Sequence, residues 1–259
     1  MLKTKSSRRQ RSVVRALRRY ARSLAEWTRW KPKGTRMSPQ RANSFLLGVM
    51  FDRSITWERA WNAAEWICES IGDPENVASM WEVLANMERR RLLGFLHYGY
   101  GGMAFHRHYK TYARLLPLAA RHMLEHYEGD PRKIWNKARS VDEVRDRLQA
   151  IPTIGPALAR MAVLILARDH GRLGGKKVRR HLDVKPDVHV FRVFQRAGLA
   201  LAKSSWKQIV ESARRLAPDF PGSLDSPAWD IGRNWCRPRN PLCKECPISG
   251  VCPKVGVRN

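Results

Sequence analysis

Residues 148–169 have the sequence LQAIPTIGPALARMAVLILARD, in which two apolar segments flank a short turn rich in proline and glycine. The apolar spacing of both segments fits amphipathic helices, and the turn occupies 152–156. Gly155 permits a backbone conformation that a residue with a side chain resists. A tight turn before a helix directs free backbone N–H groups outward, where a phosphate can accept them. The stretch therefore predicts a helix-turn-helix element able to hold an anion.

The chain outside this stretch is also helical in pattern. Between Ser44 and Arg168, apolar residues recur at helical intervals, and glycine, proline, aspartate and serine separate the segments. No run alternates apolar and polar residues as a half-buried strand would. A chain of 259 residues is long enough for one large domain or two lobes with an ample core. We therefore predict an all-α fold.

The charge of the chain is strongly unbalanced. It contains 49 Lys and Arg residues against 23 Asp and Glu, a formal net charge of +26. Such an excess opposes compaction unless a polyanion offsets it, so nucleic acid is the first candidate partner and an anionic membrane surface the second. No apolar run reaches the roughly 20 residues that span a bilayer, and no signal-peptide core follows the basic N-terminus. We therefore expect a cytoplasmic protein with reduced cysteines.

Four of the five cysteines lie close together in the C-terminal part of the sequence. They are Cys236, Cys243, Cys246 and Cys252, with the spacing C-x6-C-x2-C-x5-C. In a reducing compartment this clustering favours a metal site over disulfides, and four such thiolates can surround one compact centre. Structural zinc usually uses two C-x2-C pairs, whereas this stretch has one. Cys68 lies in an apolar helical segment, which predicts a buried core thiol.

A second segment, KPDVHVFRVFQRAGLA at 185–200, follows the hairpin. Together with the hairpin and the cysteine spacing, it resembles the endonuclease III group of helix-hairpin-helix DNA glycosylases, over about residues 40–253. The family hairpin is Leu-Pro-Gly-Val-Gly, and Thr153 stands in place of its first glycine. The residues that match the family pattern Val-Asp-Thr-His-(apolar)-x-Arg-Val are Asp187, His189, Arg192 and Arg196.

The resemblance implies a monomeric enzyme that removes a damaged or mismatched base from double-stranded DNA, with Asp187 as its catalytic carboxylate. Breaking an N-glycosidic bond builds positive charge on the sugar, and a carboxylate stabilises that charge and can orient or deprotonate water. The alternative is that Asp187 only caps a helix starting at Val188. The hairpin implies DNA contact by Thr153, Gly155 and Ala157, with the Thr153 hydroxyl able to reach a phosphate. The cysteine spacing matches the family's [4Fe-4S] loop, which implies a cluster that supports structure and DNA contact rather than hydrolysis.

Bifunctional members of the family place a nucleophilic lysine two residues after the second hairpin glycine, where this chain has Ala157. The resemblance therefore implies a monofunctional glycosylase, in which water attacks the sugar. Two alternatives stay open. One is a bifunctional glycosylase and abasic-site lyase with a displaced lysine, from Lys176, Lys177 or Lys185. The other is a damaged-DNA binding protein without catalysis.

The stretch 169–185 is strongly basic and longer than in the compact family pattern. We interpret it either as a solvated insertion or as an additional loop that contacts a DNA strand. Its candidate phosphate contacts are Lys176, Lys177, Arg179 and Arg180.

Residues 1–36 form a basic arm. Its apolar spacing predicts an amphipathic helix from about residue 9 to 29, ended by KPKG at 31–34. Its charges form either a solvated face or a set of phosphate contacts, and the resemblance favours phosphate contact. The arginines concerned are Arg8, Arg9, Arg11, Arg15, Arg18, Arg19 and Arg22.

A glycosylase extrudes its target base from the duplex and fills the gap. The family loop for this task corresponds to Asp52-Arg53-Ser54-Ile55, so Arg53 is the candidate DNA wedge and Ile55 the second. The alternative is a helix junction capped by Asp52. The aromatic stretch 97–109 resembles the second DNA-reading loop, although its side chains could equally form core. The base-pocket candidates are Tyr98, Tyr100, His106 and His189.

The implied architecture has two helical lobes. A six-helix barrel with the hairpin would occupy 44–182, and a cluster lobe would combine 1–43 with 183–259. DNA would lie across the cleft between the lobes, with Asp187 near their junction.

Overall fold

The computed structural model describes residues 7–24, 37–173 and 175–257. Within these ranges every regular element is a helix, which confirms the predicted all-α fold. The α-helices are α1 (Arg8–Ala21), α2 (Pro39–Phe51), α3 (Trp57–Ile71), α4 (Ser79–Asn86), α5 (Arg89–Tyr98), α6 (Tyr109–Tyr127), α7 (Arg132–Asn136), α8 (Val141–Ala150), α9 (Pro156–Arg168), α10 (Val188–Arg196), α11 (Trp206–Leu216) and α12 (Asp225–Asn234). Two 3₁₀ helices occupy Gly175–His181 and Pro221–Leu224. None of these described helices is both long and apolar enough to cross a lipid bilayer.

The first helix is shorter than its sequence pattern predicts. It ends at Ala21 instead of near residue 29. Just beyond this end, the Ser23 hydroxyl donates to the Tyr20 carbonyl at 2.7 Å, a local bond that competes with the helical ladder. The predicted stop signal at 31–34 lies outside the described residues.

The described residues divide into two compact units. One comprises residues 37–162, and the other combines residues 7–24 with the described residues from 163 onward. The passage from one unit to the other falls within α9.

The core of the unit 37–162 is built around buried aromatic side chains. Trp81 is fully buried, and its indole nitrogen donates to Asn43 Oδ1 at 2.8 Å, so the buried polar atom is satisfied. Phe51 packs edge-on against Phe105 and Tyr112, with ring centroids 4.8 and 5.1 Å away. Burial of each such ring stabilises the fold by roughly 2–3 kcal/mol.

The second unit has its own core, formed by α1, α10, α11 and α12. The first helix contributes Val13, Val14 and Leu17, all buried. Removing the Leu17 side chain to its Cβ would cost about 2–5 kcal/mol, as for other buried leucines. The apolar face of α1 is therefore an integral part of this unit.

Candidate active site

The carboxylate of Asp187 occupies the N-cap of α10. Its Oδ1 accepts hydrogen bonds from the backbone N–H groups of His189 and Val190, both at 2.9 Å. Among the described residues, its second oxygen, Oδ2, has no hydrogen-bond donor. Asp187 is half-buried. Capping by one oxygen therefore leaves the other available to a ligand, and the capping and catalytic interpretations are compatible.

The backbone that leads to Asp187 is anchored at three points. The Leu182 carbonyl accepts from the Gly222 N–H at 2.7 Å. The Asp183 carboxylate, fully buried, is held by both branches of the Arg214 guanidinium at 2.7 Å each. The Lys185 N–H donates to Asp225 Oδ1. These contacts fix the path of the chain into α10, as a preorganised carboxylate requires.

Asp225, at the start of α12, is a site residue that the sequence pattern did not reveal. Burial of its carboxyl group is the main reason that its pKa rises to about 7, and the negative charge of Asp187 raises it further. The Lys185 N–H acts in the opposite direction. Near neutral pH this carboxyl group therefore exchanges a proton. In sequence it resembles an ordinary acidic residue in the first turn of a helix.

The helices α8 and α9 flank the predicted hairpin turn, but the strained residue is not the expected one. Gly155 is exposed, has no positive φ, and a Cβ there would meet no atom within 4 Å. Thr153 instead has φ of 88°, a region that β-branched residues rarely adopt. The expectation that Gly155 is needed for backbone conformation was therefore wrong, because the special φ falls two residues earlier.

The hydroxyl group of Thr153 does not face solvent. Its Oγ1 is buried and lacks a hydrogen-bond partner among the described residues. The expectation that this hydroxyl reaches a phosphate is thus not supported by its position. Ala157, half-buried, lies in the first turn of α9, where backbone N–H groups have no partner within the helix.

The loop between α2 and α3 is held by a buried histidine. Asp52 is the C-cap residue of α2, in agreement with the capping interpretation of this junction, and the Thr56 side chain caps α3. Arg53 is exposed, and its carbonyl oxygen lies 2.9 Å from Nε2 of His106. Ile55 is half-buried.

The aromatic stretch 97–109 contains both buried and exposed side chains. His106 is fully buried, and its Nδ1 accepts from the His108 N–H at 2.9 Å. Tyr100 is half-buried, whereas Tyr98 is 65% and Met103 54% exposed. The sequence analysis did not single out Met103. Its signal is an apolar residue that follows two glycines with positive φ, at the tip of the loop.

The basic insertion folds into the 3₁₀ helix Gly175–His181. Lys177 and Arg180 are exposed, and the Arg179 guanidinium lies 5.7 Å from the centre of the Phe220 ring. The side chain of Lys176 lies outside the described part of the structure. Two cationic side chains of the insertion are therefore presented to solvent.

The four clustered cysteines line a single cavity. Cys236, Cys243, Cys246 and Cys252 are half-buried, and Arg196 lines the same cavity. Burial raises the pKa of Cys246 to about 11, and the other three cysteines add to the effect. The Cys246 thiol therefore remains protonated near neutral pH unless a metal centre displaces its proton.

The donor set of this cavity, four cysteine thiols, is of the kind that a [4Fe-4S] cluster takes. Across the described parts of the chain, no three His, Cys, Asp or Glu side chains converge closely enough to hold one metal ion. A [4Fe-4S] cluster takes four cysteine thiolates, one on each iron. Its ligands therefore lie around the cluster instead of meeting at a point, and these four cysteines all line one cavity.

Helix α10 connects the Asp187 carboxylate with the cysteine cavity. Arg192 donates to the Gly232 carbonyl at 2.7 Å and to the Cys236 carbonyl. At the far end of the helix, Arg196 donates to the Cys236 sulfur at 3.6 Å. His189 lies on the same helix, half-buried, with Nδ1 3.1 Å from the Arg192 guanidinium. The fifth cysteine, Cys68, is half-buried beside Met80 in the other unit.

Comparison with known sequences gives two similar proteins. Endonuclease III of Synechocystis sp. is 26% identical over 155 residues, which are 57% of this chain and 58% of that protein. Endonuclease III of Thermotoga maritima is 33% identical over 67 residues, 26% of this chain and 31% of that protein. The matches thus span less than two thirds of either relative. No protein-family model matches the chain.

Comparison with solved structures establishes the fold. A trapped endonuclease III–DNA covalent intermediate matches with a TM-score of 0.65 and 17% identity, over 95% of this chain and 96% of that chain. A non-covalent endonuclease III–DNA complex gives 0.64 and 17%, over 95% of each chain. A thermostable thymine-DNA glycosylase gives 0.58 and 16%, over 93% of this chain and 97% of that one. The chain therefore has the helical fold of endonuclease III.

Proposed function

We propose that this protein is a monofunctional DNA glycosylase of base excision repair, which hydrolyses the N-glycosidic bond of a damaged or mismatched base in duplex DNA. The observation that carries the proposal is the Asp187 carboxylate, held at the start of α10 with Oδ2 left without a donor among the described residues. The sequence similarity to two endonucleases III and the shared fold support it. The net charge of +26 agrees with a polyanionic substrate.

In the proposed reaction the target base leaves the duplex stack before the bond is cut. The bond between the base and the sugar C1′ breaks, and the base departs with the electron pair. The Asp187 carboxylate stabilises the positive charge left on the sugar and orients a water molecule. The water oxygen bonds to C1′, its proton passes to Asp187, and the departing base is protonated from solvent. The product is an intact strand with an abasic site.

The absence of a nucleophilic lysine at the hairpin supports hydrolysis instead of strand cleavage. Position 157 is alanine, so no amine is available there to form a Schiff base with the sugar. Lys185 remains as a substitute, and its backbone N–H is tied to Asp225 in the anchored loop. A lyase that uses Lys185, and a DNA-binding protein without catalysis, are the outcomes against which the proposal is tested.

We assign DNA contacts to side chains of the loop 52–55, of the aromatic stretch 97–109 and of the basic insertion 169–185. Arg53 and Met103 are proposed to fill the space of the extruded base, since both are exposed on loops of the unit 37–162. Tyr98 and Tyr100 are proposed to contact the extruded base itself. His106, buried with both ring nitrogens engaged, is proposed to hold these loops.

The four cavity cysteines are proposed to hold a [4Fe-4S] cluster. When bound, the cluster would cross-link the C-terminal loop and present its basic side chains to DNA, and it supplies no hydrolytic group. The side chains of Lys244 and Arg239 in this loop are exposed. Arg196 would donate a hydrogen bond to a cluster-bound sulfur, one of the interactions that tune such centres.

The test is a strand-cleavage assay on duplexes that carry a panel of lesions, with and without hot alkali. Asp187→Asn is the informative variant, because an Asn amide oxygen can accept the same two backbone hydrogen bonds. Asp187→Ala is the matched control, since it removes both the cap and the charge. Strand breaks that require alkali and vanish in Asp187→Asn would support the proposal and identify the base.

Two other results would overturn it. Breaks without alkali, with a covalent complex trapped by borohydride, would indicate a lyase, and loss of that complex in Lys185→Gln would identify its nucleophile. Tight lesion binding with no base release in any duplex would indicate a binding protein.

A further inference from the structure

The first helix carries a row of arginines on the side opposite its buried face. They recur at intervals of three and four residues, so they share one face of the helix. All five are exposed, whereas Val13 and Leu17 on the opposite face are fully buried. This arginine stripe consists of Arg8, Arg11, Arg15, Arg19 and Arg22.

Three side-chain contacts attach helix α1, which carries the stripe, to the rest of its unit. The Gln10 amide donates to the Gly198 carbonyl at 3.0 Å. Arg18 forms an ion pair with Asp219 at 2.7 Å, and the Tyr20 hydroxyl donates to the Asp230 carboxylate at 2.6 Å. The backbone of the stripe is therefore ordered before any ligand arrives, which reduces the entropy lost on binding.

The stripe contains no compensating negative charge. Residues 8–22 include no Asp or Glu. Within the described ranges, Arg8, Arg15, Arg19 and Arg22 form no ion pair, in contrast to Arg18 on the same helix. Like charges three and four residues apart on a helix repel each other. A bound polyanion would relieve this repulsion.

We propose that the arginine stripe binds the phosphate backbone of one DNA strand, independently of sequence and apart from the site of base excision. The choice of DNA as the polyanion rests on the proposed function. The distance from Arg8 to Arg22 along the helix is about 21 Å, at 1.5 Å per residue. Phosphates advance along the axis by about 3.4 Å per nucleotide of one strand. The stripe is therefore long enough to contact several phosphates of an undamaged duplex, although a strand winds away from a straight helix over this distance.

The test compares two variants that lose the same charge from the same unit. The stripe variant is Arg8→Gln/Arg15→Gln/Arg19→Gln, and the control variant is Lys203→Gln/Lys207→Gln/Arg215→Gln, all at exposed positions. Affinity for an undamaged duplex is measured by fluorescence anisotropy over a range of salt concentrations. Each lost phosphate contact lowers the slope of log K against log salt by about 0.9. We expect the magnitude of this slope to fall by about 2–3 in the stripe variant and by less than 1 in the control variant.

Three results would overturn the stripe proposal. The first is an unchanged slope in the stripe variant, and the second is an equal loss of slope in the control variant. The third is that the wild type and the control variant bind phosphatidylglycerol vesicles and the stripe variant does not, while the salt slope for DNA is the same in the stripe variant as in the wild type. Circular dichroism melting of both variants excludes loss of folding as the cause.

Excision assays separate this proposal from the proposed function. If the stripe variant has a smaller salt slope but releases base at the wild-type rate on saturating DNA, the stripe proposal and the glycosylase proposal are both supported. If the wild type releases no base and the slope difference persists, only the glycosylase assignment fails. If base release depends on Asp187 but the slope does not change, only the stripe proposal fails.

Discussion

The carbonyl oxygen of Arg53 lies 2.9 Å from Nε2 of His106, so a buried imidazole ties the loop after α2 to the aromatic loop 97–109. The Nδ1 atom of the same ring accepts the His108 N–H, which requires that this nitrogen carries no proton. Nε2 therefore carries the proton and donates it to Arg53. One neutral tautomer satisfies both bonds, and protonation of the ring would break one of them.

This arrangement predicts an acid-sensitive contribution to stability. Burial lowers the pKa of His106 to about 4. Because the folded pKa lies below that of the unfolded chain, the contribution is complete above about pH 6.5 and is lost as the pH falls through 4. Its size is about 3 kcal/mol at most. Urea unfolding of wild type and His106→Gln from pH 7 to 4 should show a difference that shrinks with acid. The exposed His126→Gln should follow the wild type, and a constant difference between wild type and His106→Gln would contradict the assignment.

The hairpin predicts a substitution that stabilises the fold. Thr153 has φ of 88° and a buried hydroxyl with no partner in the described structure. Relief of the backbone strain is worth about 1–3 kcal/mol, and the added freedom of glycine in the unfolded chain offsets up to about 1 kcal/mol. Thr153→Gly should therefore raise the free energy of unfolding by about 1 kcal/mol in urea titrations. Thr153→Val keeps the strain but removes the hydroxyl, so the pair separates the two effects. Destabilisation by glycine would show that the turn has a different backbone conformation.

Asp225 predicts a pH effect of the opposite sign. Its pKa, raised to about 7 mainly by burial, exceeds that of an unfolded aspartate, about 3.9. The unfolded state therefore loses its proton first, and stability falls as the pH rises from about 4 to 7. Asp225→Asn keeps an oxygen acceptor for the Lys185 N–H and should be more stable than wild type by about 2–4 kcal/mol at pH 8. The advantage should disappear near pH 4. Asp225→Ala, which loses the acceptor, should gain less.

Because His106 and Asp225 act in opposite directions over overlapping pH ranges, their contributions to the pH dependence of the wild type partly cancel. Each effect must therefore be measured as a difference between wild type and variant.

The cysteine cavity predicts a specific loss of iron. Protein purified without oxygen should carry about four irons per chain and absorb visible light, as a [4Fe-4S] centre does. Cys246→Ser should lose both properties and melt at a lower temperature, because metal binding contributes to folding. Cys68→Ser is the matched control, since Cys68 lies beside Met80 and does not line the cavity. Zinc in place of iron, or iron loss in Cys68→Ser, would refute the assignment.

The sequence predicts the fold class and the helical hairpin, because both depend on local periodicity and turn residues. It does not predict that Thr153 takes the positive φ, since this depends on how the turn joins two particular helices. The role of Asp225 and the burial of His106, which the sequence made a base-pocket candidate, are also beyond sequence reasoning. Their surroundings come from segments distant along the chain, as their hydrogen bonds with the backbone of Lys185 and Arg53 illustrate. The exposed Met103 follows a recognisable pair of glycines, but its exposure depends on the packing around it.

If the four cysteines hold the proposed cluster, the nine residues of α10 would connect it with the proposed catalytic carboxylate of Asp187, and the cluster would then influence catalysis without a chemical role in it. A helix this short moves as one body, and Arg192 and Arg196 fasten it to Cys236. If the centre is missing, the contacts of Arg192 and Arg196 with Cys236 would loosen, and the orientation of the helix would vary. A preparation with incomplete iron would then contain two populations, one competent and one inert. Single-turnover kinetics should show an amplitude that scales with iron content, while the rate constant of the active fraction stays the same.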